Sequence, residues 1–121
     1  MLMIVRESRG KTRTVADVAR ELSLNLKFFA DGEALGQALA HKSRRIVFLT
    51  EADIEPGVLV AMSDLSGDAS LGLIVAADPE ALRSSSRAKL VEKFAGFKNV
   101  EWIGKEHTVD DLCDAARSCR R

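Results

Sequence analysis

The sequence predicts an α/β domain built on a five-stranded parallel sheet with helices on both faces. Three observations carry that prediction. Apolar runs alternate with amphipathic stretches five times along the chain. The connections between them are short, and short strand–helix–strand steps build parallel neighbours through right-handed crossovers. The third and fourth runs, Ile46 to Leu49 and Leu71 to Ala77, are apolar without interruption, as strands covered on both faces must be. The alternation leaves strand order open.

The first strand runs from Leu2 to Arg6. Val15, Val18, Ala19 and Leu22 then recur at helical spacing, with Thr12 or Thr14 as N-cap. Asn25 to Ala30 is a short second strand, after which Asp31 caps a helix burying Ala34, Leu35, Ala38 and Leu39. Past the third strand, Glu51 to Gly57 reads as a polar loop carrying Pro56. A helix over roughly Val58 to Leu65 follows, burying Val58, Met62 and Leu65. After the fourth strand, Asp78-Pro79 opens a helix with a capping side chain and a first-turn proline. Ser84-Ser85-Ser86 weakens that helix midway, and Leu90, Val91 and Phe94 restore its apolar face. Val100 to Ile103 is the fifth strand, and Thr108 caps a last helix burying Val109, Leu112, Cys113 and Ala116.

At 121 residues the chain reads as one domain, large enough for a single core. Eighteen basic and eighteen acidic residues cancel, so no global field draws in nucleic acid or an anionic membrane, and neither is an expected partner. The basic tail, Arg117 to Arg121, suits a solvated helix end. The apolar start, Met1 to Val5, is too short for a signal peptide or a membrane span and fits a buried strand. Cys113 and Cys119 lie on one helix, six residues and about 240° apart, so they do not pair with each other. No CxxC or Cys/His zinc spacing exists. A reducing cytoplasm is the expected location.

Parallel α/β sheets place their sites at the carboxyl ends of strands. The residues there are Arg6-Glu7, Thr50-Glu51, Ala76-Ala77 and Gly104-Lys105. The stretch Glu101-Trp102-Ile103-Gly104-Lys105-Glu106-His107-Thr108 resembles the response-regulator receiver segment in which an aromatic strand ends in a lysine before the capped last helix. Ile74-Val75-Ala76-Ala77 resembles the receiver's fourth strand. The resemblance implies the (βα)5 flavodoxin/receiver-like three-layer sandwich.

It also implies a degenerate pocket, a pseudo-receiver. Receivers hold magnesium with two acids after the first strand, and those positions match Arg6 and Glu7. The phosphoryl-accepting aspartate matches Thr50, whose hydroxyl forms no acyl phosphate. The hydroxyl that reads the phosphoryl group matches Ala76. Lys105 survives, followed by Glu106 in place of the usual proline, and it has Glu7 or Glu51 as ion-pair partners. Glu7, Glu51 and Asp53 are the carboxylates left for weak magnesium binding, which a hard cation would need in greater number. No cofactor, metal or catalytic residue is expected.

Trp102 has two readings, an interface anchor or a ring packed against the last helix. With Glu106 and His107 it marks a candidate interaction surface. The resemblance implies a phosphorylation-independent, bacterial-type two-component signalling module and no enzyme. Its expected partners are a kinase, an output regulator or a second copy. The alternative is a small nucleotide- or phosphate-binding protein using Gly10-Lys11-Thr12, which follows a strand and precedes a helix. A Walker A loop needs a further glycine five residues before Gly10, where Val5 stands within the strand. His107 lacks a serine or cysteine at motif spacing.

Overall fold

The computed structural model describes residues 1–7, 12–40, 44–63, 65, 67–77, 80, 92, 94, 96–104 and 106–119. Five strands form one parallel sheet: β1 (Leu2–Arg6), β2 (Asn25–Phe29), β3 (Arg45–Thr50), β4 (Leu71–Ala76) and β5 (Val100–Ile103). Their spatial order is β2-β1-β3-β4-β5. This is the flavodoxin-like order, which the linear alternation had left open. Four helices are described: α1 (Thr12–Leu22), α2 (Gly32–Leu39), α3 (Pro56–Met62) and α4 (Val109–Cys119). The predicted helix opened by Asp78-Pro79, with its Ser84–Ser86 break and Leu90 and Val91, lies outside the described residues, apart from helical positions at Glu80, Glu92 and Phe94.

Strand alternation divides the core into two layers. Ile4, Val47, Leu49, Leu73 and Val75 point to the side of α2, α3 and the Phe94–Phe97 region. Met3, Val5, Ile46, Phe48, Ile74 and Ala76 point to the side of α1 and α4. Every residue of β4 is buried, whereas every residue of the edge strand β5 is half-buried. The sandwich is therefore covered at its centre and open at its rim.

Local chemistry sets the helix ends. Asp31 caps α2 as predicted, its Oδ1 accepting from the Ala34 amide at 2.9 Å. Thr108 caps α4 reciprocally: its Oγ1 accepts from the Asp111 amide at 3.2 Å while Asp111 Oδ2 accepts from the Thr108 amide at 3.0 Å. Helix α3 starts at Pro56 and ends at Met62, earlier at both ends than predicted. The proline that suggested a loop instead occupies the first turn, where its missing N–H costs nothing. Helix α1 already includes Thr12, so neither Thr12 nor Thr14 is its N-cap. At its other end Ser23 adopts φ 55°, and the Leu24 amide donates to Ala19 at 2.8 Å. A serine thus fills the left-handed position that usually favours glycine.

Two glycines permit close approaches. A Cβ on Gly32 would lie 2.5 Å from the Gly57 carbonyl oxygen, so α2 meets the start of α3 backbone to backbone. A Cβ on Gly72 would lie 2.7 Å from Cys119 Cβ, which lets the last turn of α4 settle onto β4. Both cysteines are free, and both are buried in the layer beneath α4. Desolvation pushes both thiols up, Cys119 to about 11. No described helix is long and apolar enough to cross a membrane.

Candidate functional site

The carboxyl ends of the three central strands carry Arg6, Thr50 and Ala76, with Arg6 one residue short of the other two in register. Val5 is level with Phe48, and Thr50 is level with Ala76, which is level with Ile103. Each of these residues is already engaged or closed. Arg6 Nη1 donates to Glu55 Oε1 at 2.8 Å, tying the end of β1 to the start of α3. Thr50 directs both its amide and its hydroxyl at Asp53 Oδ2, each at 2.9 Å. Asp53 sits in the 3-10 turn Glu51–Asp53 and is only 3% exposed. Its carboxylate is folded back onto β3, so it does not project into the cleft as a metal ligand.

Ala76 is buried and offers a methyl group, with no hydroxyl to donate or accept a hydrogen bond. Glu7 is exposed just beyond β1, and its amide donates to the Phe29 carbonyl at 2.9 Å. Lys105, Gly10 and Lys11 lie outside the described residues, as does the side chain of Glu51. The described residues contain no group of three or more His, Cys, Asp or Glu arranged to hold a metal.

The second predicted region lies at the β5 edge. Trp102 is level with Val75 and packs, half-buried, against the layer shared with α2 and α3. Of its two readings, the ring packed against the last helix does not hold. The two-residue period of the strand decides the face, sending Ile103 to the α4 side and Trp102 away from it. His107 stands edge-on to Phe48, with ring centroids 5.6 Å apart, and its Nδ1 lies 3.3 Å from the Gly104 carbonyl. It thereby fastens the loop after β5 to the central strand. Glu106 is exposed beside it. Between β5 and α4 runs an open groove of about 470 Å³, lined by Glu101, Trp102, Glu106, Asp111 and Asp114 among others. A second groove of about 320 Å³ separates α3 from Phe94 and Phe97 on the opposite layer.

One polar cluster was missed from the sequence. Arg45, 3% exposed at the amino end of β3, donates to Ser70 Oγ and Asp68 Oδ2, each at 3.0 Å. Asp68 Oδ1 also accepts from the Ser70 amide and hydroxyl, at 2.9 and 2.6 Å. These Ser70 bonds, with the Arg45 guanidinium, hold the Asp68 carboxyl below the ordinary aspartate value of 3.8. The legible signal was Asp68-Ala69-Ser70, an Asx-turn pattern directly before a buried strand. The cluster lies at the opposite end of the sheet from Thr50 and serves the fold.

No protein-family model and no curated protein matches the chain. Among solved structures, a chain in which the yeast Spc42 trimeric coiled coil is fused to another structure is similar, with a TM-score of 0.63 at 15% identity. The match covers 98% of this chain and 76% of that one. At that identity the likeness shows the fold alone.

Proposed function

We propose that this domain is a phosphorylation-independent protein-interaction module of the receiver type, docking partners through β5 and α4. The observation that carries the reading is the state of the strand-end residues. The position that would accept a phosphoryl group is a threonine whose hydroxyl donates to Asp53 at 2.9 Å. The neighbouring position that would carry an acid is Arg6, paired to Glu55 at 2.8 Å. The position that would sense the phosphoryl group is the buried methyl of Ala76. Acyl-phosphate chemistry needs a carboxylate nucleophile and a cation held by oxygen ligands. Arg6, Thr50 and Ala76 supply neither.

Cysteine usage and the balanced charge of the chain suit a bacterial-type cytoplasmic signalling protein, with a kinase, an output regulator or a second copy as partner. Trp102 fluorescence tests the reading during titration with magnesium and beryllofluoride and, separately, with ATP. No saturable response to beryllofluoride is expected. A specific response would sink the proposal, and tight ATP binding abolished by Lys11→Ala would replace it with the nucleotide-binding alternative.

A further inference from the structure

We infer that the open edge of β5, with the groove beside it, receives an extended cationic peptide as an added strand. The inference rests on the interaction-module reading and names the partner's chemistry. Among the described residues, β5 pairs with β4 alone. The Leu73 amide donates to Asn99 at 2.8 Å and the Ala77 amide to Ile103 at 3.1 Å. In a parallel ladder the intervening residues direct their backbone groups the other way. The amides and carbonyls of Val100, Trp102 and Gly104 therefore face the free side, a template for strand addition. The other edge strand, β2, carries the exposed cation Lys27, a common guard against edge pairing. β5 itself contains no lysine or proline.

Charge selects the occupant. The whole chain is neutral, yet the stretch from Val100 to Ala116 holds five carboxylates against the single cation Lys105. Four of those acids, Glu101, Glu106, Asp111 and Asp114, line the groove. Asp111 is used in the α4 cap, and Asp114 meets Arg117 at 3.3 Å. Glu101 and Glu106 form no hydrogen bond or ion pair among the described residues. Glu101 shares the α4-facing side of β5 with Ile103, by strand alternation. An added strand lies roughly 4.8 Å outside β5. Its alternate side chains would meet the acids on the α4 side and the neighbourhood of Trp102 on the other. Two copies joined β5 to β5 would oppose acid to acid, which disfavours a symmetric dimer at this edge.

The test uses a capped peptide of alternating lysine and valine, followed by amide resonances of the intact chain. The expected result is saturable shifts at Val100, Trp102 and Gly104, with affinity falling as salt rises. Glu101→Lys should weaken binding about tenfold, the effect of reversing one nearby charge. An alternating glutamate–valine peptide and a backbone N-methylated lysine–valine peptide should both fail to bind. Absence of binding, equal binding by the glutamate peptide, or shifts centred elsewhere would overturn the inference. Equal binding by the N-methylated peptide at the same residues would remove strand addition while leaving the docking surface in place. Shifts at these amides on concentrating the protein alone would assign the edge to a second copy and also overturn the inference. The interaction-module reading fails separately, through a response to beryllofluoride, whatever the peptide does.

Discussion

Replacing Gly72 by alanine probes how α4 is seated on the sheet. The added Cβ would lie 2.7 Å from Cys119 Cβ, 3.1 Å from Cys119 Sγ and 3.5 Å from Ile46 Cγ1. The first distance is far inside van der Waals contact, so the last turn of α4 must lift or β4 must shift. Overpacking of this kind costs about 1–3 kcal/mol. Removing a strand glycine recovers roughly 0.5–1 kcal/mol of backbone entropy, so the net loss should be about 0–2.5 kcal/mol. The obstruction comes from one side chain, which permits a double-mutant cycle. Cys119→Gly alone leaves a cavity and a weakened helix end, and is destabilising. Combined with Gly72→Ala it removes the clash, so the double variant should be more stable than the sum of the two losses by about 1 kcal/mol. Urea unfolding measures this directly, through the midpoint at unchanged m. A Gly72→Ala protein more stable than the parent, or strict additivity in the cycle, would refute the close approach of α4 to β4.

Further substitutions test other parts of the structure. Ser23→Gly should stabilise the protein by about 0.5–1 kcal/mol in the same urea assay, because Ser23 holds φ 55° at the end of α1. Thr50→Val should cost about 1–3 kcal/mol, since the buried Asp53 carboxylate loses the hydroxyl donor at 2.9 Å; unchanged stability would count against a closed pocket. Asp68 has its pKa lowered in the folded state, so its contribution is fully present above the ordinary value of 3.8 and is lost as pH falls through the lower folded value. Asp68→Asn should therefore flatten the acid side of the stability–pH curve below about pH 4, and an unchanged acid limb would contradict the Ser70 and Arg45 bonds.

The sequence made the layers legible because burial repeats along each element. Continuous apolar runs marked β3 and β4, and helical spacing marked α1, α2 and α4. Asp31 and Thr108 were readable because capping is local, with donor and acceptor three residues apart. Strand order was hidden because it depends on pairing between segments distant in sequence. The same reason concealed Arg6 with Glu55 and Arg45 with Asp68, whose partners lie 49 and 23 residues away. Trp102 illustrates a finer limit. Its strand was located correctly, but the covering layer depends on parity against β4, which puts Trp102 level with Val75. At the strand ends only the residue types were legible. The structure adds how the site is filled, with Thr50 bound to Asp53 and Arg6 to Glu55.

The most direct test of the proposed phosphorylation-independent reading is intact-mass analysis after incubation with acetyl phosphate and magnesium, applied to the parent chain and to Thr50→Asp. On the proposed receiver-type reading, Thr50→Asp supplies an acceptor but leaves Arg6 where that reading calls for an acid and the methyl of Ala76 where it calls for a hydroxyl. Neither protein should acquire a phosphoryl group. A magnesium-dependent phosphoryl adduct on either one would contradict the account.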